Sequence, residues 1–568
     1  MPQDAYALRH VARELCAALS GGKVNKIIQP SRDEIDMLLY AGGRTQKLLL
    51  NTNASYARAA LSDAARSAPA AAPNFCMLLR KHLLGAVLES VEQIAFERIL
   101  AFTFDCTGEF SRARRVLYAE IMGKYSNLIL TENGVISGAL KVSSVQENFK
   151  RTLFPGARYL FPEPQDKADA RDIQALEALF SAFGGGDLAR FLFESVGGLA
   201  YSTAALICES AHISDPALPF DGAGAKSFAQ HVHDFIFSEE VSPAIQTRDG
   251  AFVDFHARYA GGIPFDSVNA AQDAFYTDKE TARDFTEKRR KLESLLNARR
   301  KKEEKKLALL VDRERECANI EKNRVFGELL TANLYALKKG AEGCELLDYT
   351  DENCPLVKIP LDKTLSPAQN AQKYYKDYRK ARTAETVLAE QIAAGEEELR
   401  YIDTVFDALS RAGGMRELAE LREELAAGGY LRLQRGRQKP PPPMGPLAFR
   451  SDDGFEILVG RNNVQNDRLT TKMARGGDIW MHTKNIPGSH VLVITGGKTP
   501  PPSTLEQAAV LAALHSRAAD STQVPVDYTE ARHVKKPAGA KPGMVIYETN
   551  RTVYVTPDPL LAARLRQE

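Results

Sequence analysis

The spacing of apolar residues changes several times along this chain, and each change predicts a different element. From Ala5 to Leu19 they recur every three or four positions, which predicts a helix closed by Gly21-Gly22. Lys23 to Tyr40 and Arg44 to Thr52 read as strands of a meander. Phe75 to Leu84 returns to helical spacing, and Val87–Ser90, Ile99–Asp105 and Arg115–Glu120 read as strands again. Between about 170 and 240 the pattern becomes short helices punctuated by glycines, including Gly184-Gly185-Gly186 and Gly197-Gly198. Paired short helices with glycine turns suggest helix-hairpin-helix elements, whose turn amides and helix N-termini suit phosphate groups. A small α/β segment follows at about 245–275.

Beyond 276 the chain turns highly charged. Phe285, Leu292, Leu295, Leu296, Leu307 and Leu310 give an imperfect heptad-like seam. A second helix returns from Ala368 to about Leu425, so 276–435 reads as a long antiparallel coiled coil with a non-helical tip at 340–365. Lys439 to Pro443 is a stiff polyproline linker. The last segment, 446–568, alternates strands (Val524–Tyr528, Met544–Tyr547, Thr552–Val555) with a helix. Ser503 and Glu506 stand at capping-box spacing and predict that helix's start. The fold class is multidomain α+β. It has an N-terminal domain at 1–168, helical hairpins and a connector at 169–275, the arm at 276–435, and a C-terminal α/β domain at 446–568.

Composition narrows the functions that fit. At about 150 residues per domain, 568 residues hold three or more domains. Formal net charge is +1, so nucleic-acid binding would need one-sided patches. Seven cysteines without a C-x-x-C pair read as reduced thiols of a cytoplasmic protein. The mixed-charge start MPQDAYALRHVARE lacks a signal-peptide pattern, and no apolar run approaches the roughly 18 residues of a membrane span. No phosphate-binding G-x-x-x-x-G-K-[ST], H-E-x-x-H or G-x-S-x-G motif occurs. Nucleotide hydrolysis, zinc proteolysis and serine hydrolysis are therefore unsupported, and no metal or cofactor is expected.

Basic and amide side chains cluster instead. One set comprises Arg80 and Lys81, then Lys124 with Ser126 and Asn127. Another is Lys373 with Tyr374, within a run of lysines and three tyrosines. The densest is Val459 to Val493, with Arg461, Asn462, Asn466, Lys472, His482, Lys484 and the chain's one tryptophan, Trp480. Lys535 and Lys536 open a basic glycine-rich loop. Such donors beside aromatic rings suit RNA phosphates and unpaired bases.

Motif order adds a resemblance that covers essentially the whole chain. VGRNNVQNDRLTTKMARGGDIWMHTKNIPGSHVLV and VPVDYTEARHVKKPAGAKPGMVIYETNRTVYVTPDP resemble the NFACT-R domain of the NFACT family. PNFCMLLRKHL, EIMGKYSNLIL and RTLFPGARYLFP resemble its NFACT-N domain, and NAQKYYKDYRKAR the start of its returning coiled-coil helix. That resemblance implies ribosome quality control. The family binds a large (50S) ribosomal subunit holding peptidyl-tRNA and recruits tRNA, in bacteria mainly that for alanine, for template-free C-terminal tailing. An RqcP-like elongation partner is implied, no membrane is, and peptide-bond formation stays with the ribosome. The family's Asp-Arg pair matches Glu97-Arg98 here, with a carboxylate one methylene farther out. NFACT-N is also similar to the formamidopyrimidine-DNA glycosylase fold, which brings in a repair-enzyme reading with Pro2 as nucleophile. Gln3 stands where those enzymes carry an acidic residue. A fibronectin-binding surface protein is the other alternative that the family brings.

Overall fold

The structure is a computed structural model. It describes residues 3–567 except 65, 67–68, 70, 108–111, 144–150, 164, 214, 260, 319 and 433–442. Pro2 and most of the polyproline linker lie outside the described residues. The chain divides into two compact units, Met1–Arg283 and Asp284–Glu568.

The first unit opens with α1 (Ala5–Leu19), capped by the Asp4 carboxylate, which accepts the Ala7 amide at 2.9 Å. Strands β1 (Lys23–Ser31), β2 (Glu34–Ala41), β3 (Arg44–Asn51) and β4 (Arg58–Leu61) form the meander that the alternation predicts. Helix α2 (Asn74–Leu83) precedes β5 (Val87–Gln93), β6 (Ile99–Thr107), β7 (Arg112–Glu120), β8 (Asn127–Glu132) and β9 (Val135–Ala139). The two meanders join in one nine-stranded sheet, in the order β4-β3-β2-β1-β5-β6-β7-β8-β9. Four helices follow: α3 (Ile173–Ser181), α4 (Leu188–Ser195), α5 (Tyr201–Ser210) and α6 (Gly222–Phe237). They share the sheet's core, because Phe180, Leu192 and Phe228 are buried with Leu8, Leu15 and Phe102. A three-stranded sheet completes the unit: β10 (Ala244–Arg248), β11 (Ala251–His256) and β12 (Ile263–Pro264).

Helix α7 (Val268–Ala318) starts ten residues before the charged run, and α8 (Glu321–Ala332) follows it. The tip is a hairpin of β13 (Gly343–Leu347) and β14 (Leu356–Pro360). The return is α9 (Pro367–Arg411), opened by a Ser366/Gln369 capping box. Leu292 and Leu296 are buried against Tyr401, Ile402 and Val405. Farther out, Leu307 abuts Gly395 and Tyr375 abuts Gly327, so the outgoing and returning helices run antiparallel. The return is not one helix to Leu425. It breaks at Ala412-Gly413-Gly414, where glycine lets the backbone leave helical geometry, and resumes as α10 (Met415–Ala427).

The C-terminal sheet uses β15 (Leu447–Arg450), β16 (Glu456–Val459), β17 (Ile479–Thr483), β18 (Val491–Ile494), β19 (Val524–Glu530) and β22 (Arg551–Val555), with α11 (Asn463–Arg468), α12 (Pro502–Leu514) and α13 (Pro559–Leu565) around it. A separate ribbon pairs β20 (Val534–Lys535) with β21 (Ile546–Tyr547). Alternation gives the sheet two buried faces. Met481, Val491 and Val493 pack under the alanines of α12, whereas Trp480, Leu458 and Leu492 pack with Leu469 on the other side. The Ser503–Glu506 capping box does not form. Helix α12 begins one residue earlier on Pro501-Pro502, and the Ser503 hydroxyl donates to Asp453 instead. Proline at the first helical position needs no amide partner, so the start requires no serine cap.

Candidate nucleic-acid interface

In the first unit three distant segments meet at the β5–β6 turn. The Gln93 amide donates to both Ala5 O (2.8 Å) and Glu97 O (2.9 Å), tying the turn to the start of α1. Ala5 N donates to Gly198 O, in the glycine turn between α4 and α5. Asp4 closes the third side, accepting Ala200 N at 2.9 Å and the Thr203 hydroxyl. Gly198 has φ +79°, and an added Cβ would lie 2.6 Å from Phe96 O. Only glycine fits there. The result is a cavity of about 240 Å³ with Glu97, Arg98, Asp4 and Lys167 on its walls. Glu97 and Arg98 are half-buried at its edge. The Arg98 carbonyl accepts Ile121 N at 2.8 Å, fixing the pair's backbone to the end of β7.

The neighbouring basic residues divide. Arg80 spends its Nε on Ile27 O at 2.8 Å, while Lys81 is exposed. Lys124 is exposed, its Nζ 4.9 Å from the Tyr125 ring centroid. Ser126 and Asn127 are buried pins. Ser126 Oγ accepts Met122 N, and the Asn127 amide bridges both Lys141 N and Lys141 O, holding β8 to β9. Close by, Glu120 takes Arg151 and the Tyr159 hydroxyl, a buried cluster that the sequence reading did not assemble.

The second unit uses most of its polar set internally. On α10, Glu417, Glu420 and Glu424 recur at helical spacing and face the Asn-rich turn. Arg461 donates to Glu417 at 2.7 Å and Asn462 to Glu420 at 2.7 Å. Asn463 donates to Glu424 at 2.9 Å and to Thr404 at 3.0 Å, and Gln465 to Glu420 at 3.1 Å. Burial pushes the Glu424 carboxyl up, against the hydrogen bonds from Asn463 and Tyr401. Asn466 is buried and bonded to His490 N and Gly488 O. Arg411, at the end of α9, reaches Ser489 at 3.0 Å. The acidic stripe of α10 was readable as an amphipathic face, but its partner was not.

Trp480 is 1% exposed, with its indole N–H on Thr470 at 3.1 Å. The His482 ring stacks near it, centroids 5.9 Å apart. Burial holds the His482 imidazole down to about 4 and that of His490 to about 3, so both are neutral at neutral pH. Lys536 pairs with Asp467 at 2.7 Å, and Lys484 stands 4.0 Å from Asp527. Lys373 pairs with Asp362, and Tyr374 donates to Pro360 O while its ring meets Phe326, so that tyrosine secures the tip. Lys472 and Lys535 are exposed. Exposed cations are thus brought to the surface of both units, while Asn127 in the first unit and Asn462, Asn466 and Trp480 in the second are structural.

Residues 4–442 match the family model for NFACT N-terminal and middle domains, and 446–549 match that for the NFACT protein RNA binding domain. The chain belongs to the NFACT family. Relatives of this NFACT chain include the Rqc2 homolog RqcH of Bacillus subtilis strain 168, 38% identical over 99% of this chain and 98% of the relative. The archaeal Rqc2 homolog aRqcH of Methanocaldococcus jannaschii is 22% identical over 88% of this chain and 79% of its own length. Among solved structures, the C-terminal part of the fibronectin/fibrinogen-binding protein from Streptococcus suis is 33% identical, covers 50% of this chain and 99% of that one, and has a TM-score of 0.39. No described helix is long and apolar enough to cross a membrane.

Proposed function

We propose that this NFACT chain is a cytoplasmic ribosome quality-control factor. It binds large subunits that hold peptidyl-tRNA and presents alanyl-tRNA for template-free alanine tailing, which marks the nascent chain for degradation. The observation that carries this is 38% identity to a chain named Rqc2 homolog RqcH over nearly the full length of both. The family's RNA-binding domain at 446–549 supports RNA as the partner. Peptide-bond formation belongs to the ribosome, so this protein acts by positioning. In this reading Glu97-Arg98 meets tRNA, with Lys81 and Lys124 on the same unit as phosphate contacts. The N-terminal domain takes the glycosylase-like fold, α4–α5 a helix-hairpin-helix role, and α7–α9 a coiled-coil arm. Lys472, Lys484, Lys535 and Lys536 face ribosomal RNA, and an RqcP-like partner supports repeated elongation.

Translation stalling followed by sedimentation tests this. The protein should travel with large subunits, and stalled chains should gain alanine that disappears on deletion. Arg98→Ala should abolish tailing and leave subunit association. Large subunits that come down without tRNA and nascent chain would sink the proposal. Fibronectin binding by surface-exposed protein, with no subunit association, would replace it with the adhesin reading.

A further inference from the structure

The break between α9 and α10 opens a second cavity, about 600 Å³, that the tailing reading does not use. Four arginines line it: Arg411 and Arg416 from either side of the break, Arg461 from the Asn-rich turn, and Arg566 after α13. Glu417 is the one acidic residue on its walls. Two of the guanidiniums are held in place. Arg411 donates its Nε and one terminal N–H to Asp407 Oδ2 and reaches Ser489, and Arg461 is fixed by Glu417 and by Gly445 O at 3.1 Å. Asp407 and Glu417 therefore balance two positive charges. Arg416 and Arg566 are exposed, belong to none of these pairs, and add charge that these two acids do not balance.

A third group points into the same problem. His515 lines the cavity, and its Nε2 is buried without a hydrogen-bond partner. A buried polar atom left unpaired is costly unless something fills the space. The imidazole is pushed down to about 4, first by burial and then by Arg411, Arg461 and Arg566. The wall around it is thus electropositive, and the ring stays neutral with one N–H to give. Helix α10 also starts at this cavity, where Glu417 in its first turn accepts the Gly413 amide at 2.6 Å and the N-cap Gly414 offers no side chain. Ala408, Met415, Leu421, Met444 and Leu447 supply the apolar part of the lining.

We propose that this cavity binds a nucleotide unit, the phosphate held by the arginines and the sugar and base against the apolar lining. A phosphate alone would leave most of the volume empty, whereas ligand-sized pockets run from about 300 to 1,000 Å³. Planar guanidiniums suit phosphate oxygens because two N–H groups can meet two oxygens at once. The unit can come from a free mononucleotide or from an RNA strand, and the two share this chemistry.

Equilibrium dialysis of the full chain separates them, with adenosine 5′-monophosphate, adenosine, inorganic phosphate and an eight-nucleotide single-stranded RNA as probes. The monophosphate should bind and adenosine should not. The Arg416→Ala/Arg566→Ala double variant should bind phosphorylated probes at least tenfold more weakly, given the strength of charge-assisted contacts. Arg564→Ala, on α13 but paired with Asp452 at 3.0 Å, should change nothing. RNA bound more tightly than the mononucleotide identifies a strand as the ligand, and the reverse identifies a free nucleotide. Undiminished binding of every phosphorylated probe by the double variant, or equal binding of adenosine, overturns the proposal. No ribosome is needed, so failure here leaves the quality-control reading standing.

Discussion

The β5–β6 turn and the Val459–Val493 stretch carry similar side chains and use them in opposite ways. Around Glu97-Arg98 the structural work is done by neighbouring residues: the Gln93 side chain on Ala5 O, the Asp4 carboxylate on Ala200 N, and Gly198 against Phe96. The two motif side chains are left half-buried at the edge of a cavity. In the second stretch the side chains themselves do the structural work. Arg461, Asn462, Asn463 and Gln465 are bonded to three glutamates of α10. Density of amides and cations therefore measures how much hydrogen bonding a segment does, not with whom.

The largest effect should come from Gly198. Valine there would need left-handed backbone and a Cβ 2.6 Å from Phe96 O and 2.8 Å from Ala5 Cβ. The expected loss is about 3 kcal/mol or more in denaturant unfolding of the first unit. Gly197→Ala, where an added Cβ meets nothing nearer than 3.7 Å, should cost well under that. Equal behaviour of the two variants would mean that backbone closure does not hold the Glu97-Arg98 turn.

Next in size is Asn463→Ala, which removes the Glu424 and Thr404 contacts together. Glu424 Oε2 already lacks a partner. The buried carboxyl would then keep Tyr401, 2.8 Å away, and the backbone amides of Val464 and residue 463, and a loss of about 2 kcal/mol is expected in thermal unfolding. Tyr401→Phe and Asn463→Ala should be strongly non-additive, since both serve one carboxyl. RNA affinity of the folded fraction should not move. A fall in affinity with unchanged stability would return this stretch to the RNA surface and erase the contrast.

Much of the scaffold was legible because periodicity is local. Helix α1 runs Ala5–Leu19 as its apolar spacing predicts, and the Leu292–Leu296 seam is buried. Elements failed where a competing local solution existed. Ser503 and Glu506 have the right spacing, yet Pro502 already starts α12, and Asp453, fifty residues away, takes the hydroxyl. Gly413-Gly414 was visible but was read through, because the apolar pattern resumes beyond it. The candidate site was less legible for the same reason on a larger scale. Ser126 and Asn127 look like ligand-facing polar residues until the pairing of β8 with β9 is known. Asn462 and Glu420 meet across 42 positions, and no spacing rule reaches that far.

Acidification should act in opposite directions on two buried groups, one in each unit. In the second, His490 has its pKa held at about 3 against an ordinary 6.5. Between those values the unfolded chain takes a proton that the folded one refuses. Its contribution is therefore full above pH 6.5 and is lost as pH falls, at up to about 1.4 kcal/mol per pH unit. In the first unit burial raises Glu34 to about 7, with Arg66 opposing. There the folded carboxyl keeps a proton that the unfolded one releases above 4.5, so its contribution is full at low pH and is lost as pH rises towards 7. His482 and His515, both held at about 4, add to the His490 effect, whereas in the first unit His10, also held at about 4, opposes Glu34. Hydrogen exchange in the second unit from pH 7 to 5 should therefore show weakening, and His490→Gln should make that slope shallower while leaving the first unit's unchanged.

The smallest effects on stability test the other half of the contrast. Lys472 and Lys535 are exposed beside a polar set that is spent internally. Each alanine replacement should stay within about 0.5 kcal/mol in unfolding, as surface changes usually do. If these lysines meet ribosomal RNA phosphates, each removal should also lower the slope of log affinity for large subunits against log salt by a little under one. Lys81→Ala and Lys124→Ala should do the same from the first unit. Asn462→Ala should do the reverse, weakening the fold through Glu420 and leaving the salt slope alone, because a neutral amide bonded to a half-buried carboxylate releases no counterion. A slope that falls with Asn462→Ala and not with the lysines would mean that the amides, not the exposed cations, touch the nucleic acid.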